Sequence, residues 1–116
     1  MPEEARDPSI IRGYHAHIYF EPENPEPAAK VRELIARTFP HARLGGWRPM
    51  PVGPHTKAMY LIEIMPSDFA QIIPWLMLNR RGLSVLVHPF TGNGAEDHAV
   101  NSFWMGEPLA LKTENL

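Results

Sequence analysis

No cysteine occurs among the 116 residues, which excludes disulfides and thiolate metal sites together. Neither charge is in excess: 11 Lys and Arg stand against 13 Asp and Glu, for a formal net charge of −2. A nucleic-acid-binding or anionic-lipid-binding chain would carry a basic stripe, so neither partner is expected. The chain also lacks any apolar run near the roughly 20 residues needed to cross a bilayer. Its opening, Met-Pro-Glu-Glu-Ala-Arg-Asp-Pro, lacks the apolar stretch of an export signal. The expected setting is therefore cytoplasmic. Length and a 44% hydrophobic content point to a single domain over residues 1–116 with one core. Residues 1–13 and about 107–116 read as tails.

What the chain does have is proline, which punctuates it, and histidine. Residues 14–20 alternate, with Tyr14, Ala16, Ile18 and Phe20 on one face and His15, His17 and Tyr19 on the other. That is the period of a strand. Asn24-Pro25 opens a helix in which Ala28, Val31, Leu34, Ile35 and Phe39 recur at helical spacing until Pro40. A short strand over 42–44 breaks at Gly45-Gly46, and residues 47–55 form a Pro- and Gly-rich loop. Residues 57–65 read as a third strand. A second helix follows, with Ser67 as its expected N-cap and Phe69, Ile72, Ile73, Leu76 and Met77 as its buried side. Pro74 lies inside it and predicts a bend. Residues 83–88 make a fourth strand; from Pro89 onward the pattern is loop-like, with an apolar patch at Phe103, Trp104 and Met105.

Strand, helix, strand, strand, helix, strand is the order of a ferredoxin-like α+β sandwich, an antiparallel sheet with two helices on one face. In this arrangement the first and third strands are expected to be parallel neighbours, with the fourth antiparallel on the other side of the first. The sheet face without helices is left for a tail or a second copy, and a homodimer is expected.

The same topology draws histidines together. His15 and His17 share the face away from the helices. His88 ends the fourth strand, where it meets the beginning of the first, and His55 immediately precedes the third. Imidazole is the commonest metal-binding side chain, and neutral imidazoles suit Fe(II), Zn(II), Cu(II) and Ni(II) alike. A His-x-His pair alone is more often a half-exposed polar face. The convergence of three segments favours a metal site with His17, His55 and His88 as ligands. His15 is then a fourth ligand or a proton-transfer residue. Glu63, the one carboxylate inside an expected strand, offers an alternative ligand. His98 beside Asp97 is a loop residue unless the chain folds back, when it becomes an acid or base. Arg48, near His55, is placed to hold a substrate carboxylate. His41 reads as a surface residue, and Trp47, Trp75 and Trp104 as core or interface residues.

Tyr14-His15-Ala16-His17-Ile18-Tyr19-Phe20, Pro51-Val52-Gly53-Pro54-His55, Pro74-Trp75-Leu76, residues 82–89 (Gly-Leu-Ser-Val-Leu-Val-His-Pro) and Asp97-His98 occur in that order. Over residues 14–106 they resemble the DOPA 4,5-dioxygenase family. The resemblance implies a small, dimeric, ferredoxin-like enzyme that opens a catechol ring beside the diol. It would use non-haem Fe(II) and O2, with Zn(II) or another divalent metal possible as isolated. It points to His15, His17, His55 and His88 as the site, with His98 nearby. Two other readings compete: a non-catalytic dimer that binds a small aromatic ligand or a metal, and a zinc-dependent hydrolase.

Overall fold

The computed structural model describes residues 4–116, apart from the side chain of Thr113. Its central strand is β1 (Gly13–Phe20), where the alternation of the sequence becomes two buried surfaces. Ala16, Ile18 and Phe20 join one apolar core, and Tyr19 joins a second on the other side of the sheet.

Helix α1 (Glu26–Thr38) follows, with Ala28, Val31 and Ile35 buried. It starts two residues past Asn24 and ends where Phe39 N–H closes on the Ile35 carbonyl. Strand β2 (Arg43–Leu44) is short, and β3 (Ala58–Ile64) resumes after the loop. Ser67 does not cap the second helix. Pro66–Asp68 first make a 3-10 turn, so α2 (Phe69–Asn79) begins later, with Asp68 at the N-cap and no side-chain cap bond. Pro locks its own φ at a helix-compatible value, which favours the tight turn directly behind it. Ile72, Ile73 and Leu76 are buried as expected, whereas Met77 is 54% exposed because it falls on the solvent side of the same turn. Pro74 faces solvent too, where water can satisfy the carbonyl its missing N–H leaves free.

Strand β4 (Val85–Phe90) runs two residues past His88. Beyond it come a five-residue helix, α3 (Gly94–His98), and a fifth strand, β5 (Phe103–Met105). The sequence pattern predicts only a loop and an apolar patch here.

The sheet order is β2-β3-β1-β4-β5. All neighbours are antiparallel, including β1 and β3, with Phe20 opposite Ala58 and Tyr14 opposite Ile64. The expectation of parallel β1 and β3 is therefore wrong. β3 lies between β1 and β2 and is antiparallel to each, so it is β1 and β2 that share a direction.

Helices α1 and α2 cover one face over Ala16, Ile18, Tyr60, Ile62, Val85 and Val87. Burying a side chain of this size contributes roughly 1.5–3 kcal/mol. Tyr60 Oη donates to the Ala28 carbonyl at 2.8 Å and ties the sheet to α1. The opposite face carries Tyr19, Met59 and Leu86, packed under Trp104, Leu109 and Leu111. Residues 107–116, read as a tail, thus cover part of the face on which the homodimer was expected to form. They are pinned by Lys112 N–H to the Pro54 carbonyl (2.7 Å) and by Thr56 Oγ1 to the Ala110 carbonyl (2.7 Å). No helix among the described residues is long and apolar enough to cross a membrane.

Candidate metal centre

Five histidines gather on the face away from the two long helices. His15 and His88 are direct cross-strand partners on β1 and β4. Alternation puts His17 on the same side two residues along, its ring centroid 5.1 Å from that of His88. His98, on α3, lies 4.0 Å from His88 and 5.8 Å from His17 by the same measure.

His55 arrives by a different route from the one expected. Because β3 is antiparallel to β1, the residue before β3 belongs at the Phe20 end of β1, away from His15. The Pro-rich loop carries it back over the sheet, and its ring centroid is 4.2 Å from that of His17. A bridge to Leu111 and a hydrogen bond from His55 N–H to the Val52 carbonyl hold it there.

The donor atoms of His15, His17 and His88 all lie within 4.8 Å of one another, and so do those of His17, His55 and His98. His17 belongs to both groups. Glu63 belongs to neither: it faces His15 across β1 and β3, is exposed, and lies 3.6 Å from Arg43. His41 is exposed at the surface, as expected.

Burial divides the five rings. His17, His55 and His88 are 5%, 4% and 2% exposed, whereas His15 and His98 are half-buried. Burial pushes His55 and His88 down to about 4; the proximity of His98 adds to this in both, and the hydrogen bond to Pro89 offsets part of it in His88. His17 is held well below the ordinary imidazole range by burial and then by its four neighbours. Burial also lowers His15, with Glu63 opposing. At neutral pH these four rings are uncharged, the form that ligates metals.

The hydrogen bonds go further and fix tautomers. A carbonyl can only accept, so His88 Nδ1–H donates to the Pro89 carbonyl and His98 Nδ1–H to the Gly94 carbonyl, each at 2.8 Å. Both rings then present an Nε2 lone pair. His88 Nε2 lies 3.0 Å from His17 Nε2, which must donate to it, and this leaves His17 Nδ1 as a buried atom without a partner. Two nitrogens each about 2.1 Å from one ion at a right angle are about 3.0 Å apart, which is the separation observed. An ion replacing that shared proton would satisfy both Nε2 atoms. The donor set therefore fits a divalent cation that accepts nitrogen ligands.

Two supporting residues were less legible in the sequence. Asp97 is 2% exposed and accepts from Thr91 N–H (2.8 Å) and Thr91 Oγ1 (2.6 Å), which fastens the turn that carries His98. Tyr19 places Oη 2.7 Å from His55 Nδ1. Its parity with His15 and His17 was the available signal. Arg48 is exposed and lines a cleft of about 440 Å³ with His55, Met59 and Leu61 on the same side of the sheet.

Comparison with known proteins places the chain among relatives. The Dopa 4,5-dioxygenase family matches residues 14–115. An uncharacterized 21.2 kDa protein of Botryotinia fuckeliana is 39% identical over 93% of the chain. A DOPA 4,5-dioxygenase of Amanita muscaria is 33% identical over 93% of it. The chain spans 65% and 51% of the lengths of these two relatives. A crystal structure from Nostoc punctiforme, provisionally described as a dioxygenase, superposes with a TM-score of 0.92 at 47% identity, covering 95% of each chain.

Proposed function

Because the chain belongs to the DOPA 4,5-dioxygenase family, we propose that its histidine cluster holds Fe(II) and that the protein is an extradiol ring-cleaving dioxygenase acting on a small catechol. The observation that carries the reading is the set of five imidazoles on one sheet face, three buried and two half-exposed. The proposed ligands are the buried three, His17, His55 and His88. His17 is common to both donor groups, which place His88 in one and His55 in the other; one ion bound at His17 would draw the two together.

Ferrous iron, when bound, supplies a redox-active Lewis acid at which a catecholate and dioxygen can react. The reaction balances without an external reductant: one aromatic C–C bond breaks, and both oxygen atoms enter the ring-opened product. The protein's own part is binding and proton transfer. His15 and His98 are near enough to the buried rings to take a catechol hydroxyl proton and open enough to exchange it with solvent. Arg48, at the cleft beside His55, would hold a carboxylate on the substrate's side chain. Trp104, Leu109 and Leu111, over Tyr19 and Leu86, exclude water from one flank.

In full, the proposal is a cytoplasmic homodimer with Fe(II) as its native metal. With part of the sheet face covered by its own chain, the exposed Phe90 beside His15 is the apolar residue this face offers for a dimer contact, and light scattering tests it. Activity is tested by anaerobic loading with Fe(II), addition of a catechol panel and then oxygen, with oxygen uptake and the yellow ring-opened chromophore as readouts. Stoichiometric iron with no oxygen uptake on any catechol would overturn the reading. Turnover with zinc and no oxygen would mark a hydrolase instead.

A further inference from the structure

Three of the five rings have their Nδ1 engaged by the protein, but by two kinds of partner. His88 and His98 use main-chain carbonyls, which only accept, so their tautomers are set by the backbone. His55 has no such carbonyl. Its Nδ1 meets the hydroxyl of Tyr19 at 2.7 Å, a group that both donates and accepts.

Tyr19 is 1% exposed, and His55 Nδ1 is the hydrogen-bond partner of its hydroxyl. Its ring is wedged between Trp104 (5.5 Å between centroids) and His55 (5.6 Å), in the cluster with Met59 and Leu86. The hydroxyl is therefore anchored by β1, whereas His55 rides on a Pro- and Gly-rich loop outside the sheet. A loop ligand needs its ring fixed from outside, and partners of this type set a ligating histidine's orientation and tautomer.

We propose that Tyr19 is the positioning residue for His55: its hydroxyl accepts from His55 Nδ1–H in the loaded protein and so aims Nε2 at the ion. The inference rests on the metal-site reading above. It is independent of which ion binds and of any oxygen chemistry.

The test is Co(II) titration followed by its visible absorption bands, on the unsubstituted full chain and on Tyr19→Phe, His55→Ala and the double variant. Tyr19→Phe keeps the ring that fills the apolar cluster and removes one oxygen. Expected is a Co(II) affinity about 10- to 100-fold weaker in Tyr19→Phe, with altered bands and a metal-free thermal midpoint lowered only by the few degrees that one buried hydrogen bond contributes. In the His55→Ala background, Tyr19→Phe should cost nothing further. Unchanged affinity in Tyr19→Phe, or an equal loss in the His55→Ala background, overturns the proposal, the latter because it marks a packing role. Long-range 1H–15N NMR of the unsubstituted protein loaded with Zn(II) supplies a measurement free of substitutions. It should report His55 protonated at Nδ1, and ligation through Nδ1 would be fatal. Should the unsubstituted chain bind no Co(II), the metal site falls and this inference with it; should it bind and Tyr19→Phe match it, only this inference falls.

Discussion

The two faces of the sheet are built from the same strands and do opposite work. Under α1 and α2 the inward residues of β1 are Ala16, Ile18 and Phe20, and the surface they meet is apolar. One residue out of phase, the same strand presents His15, His17 and Tyr19 to a cover made of β5, α3 and two loops. The first face gains its free energy by removing hydrocarbon from water. The second buries imidazoles at a desolvation cost that holds them neutral. Stability and chemistry are thus separated by the pleat of a single strand, and substitutions at adjacent positions should separate them too.

The sharpest contrast is His17→Ala against Ile18→Ala. Losing His17, common to both donor groups, should weaken metal binding by roughly 10²–10³-fold, one ligand's share of the about 10–16 kcal/mol available at a multi-histidine or thiolate site. Oxygen uptake should vanish with it. Ile18→Ala should cost about 2–5 kcal/mol in urea unfolding and leave the metal content of the folded protein unchanged. Equal effects on both readouts would erase the distinction between the faces.

Acid offers a second break. His55 and His88 sit at about 4 in the fold, below the roughly 6.5 of an unfolded chain. Between those values the unfolded state binds more protons. Their contribution is therefore complete above pH 6.5 and is lost as pH falls toward 4. Metal-free protein should lose roughly 2–4 kcal/mol between pH 7.5 and 5, read from urea midpoints, and a His55→Ala, His88→Ala variant should lose less over the same interval. Smaller still, Arg48→Ala should raise KM about tenfold for carboxylate-bearing catechols and leave unsubstituted catechol unaffected. Glu63→Gln should change metal content not at all and stability by less than about 0.5 kcal/mol, as suits an exposed pair with Arg43.

How legible this was in the sequence depended on range. Strand parity in residues 14–20 separated the faces correctly, because alternation is a local property. The pairing of His15 with His88 followed from the order of elements. The place of His55 did not. The order of elements suggests parallel neighbours, the strands are antiparallel, and the ring reaches His17 only because residues 47–55 double back and the chain near Leu111 holds them. No local pattern encodes such a return. β5 escaped notice because three residues are too few for a period, and its Trp104 earns its place through contact with Tyr19. Glu63 has the right parity and the wrong neighbourhood: its alternation points it to the histidine side, but at the end facing Arg43 and solvent.

One asymmetry of the cluster bears on exchange. His15, His17 and His88 stand on the two strands at the middle of the molecule, whose amides should be the last to exchange with deuterium. His55 stands on a segment held by a few hydrogen bonds to residues 110–115. An ion held by His17, His88 and His55 would therefore have two unyielding walls and one hinged door, and how fast it leaves would be set by how often that door swings.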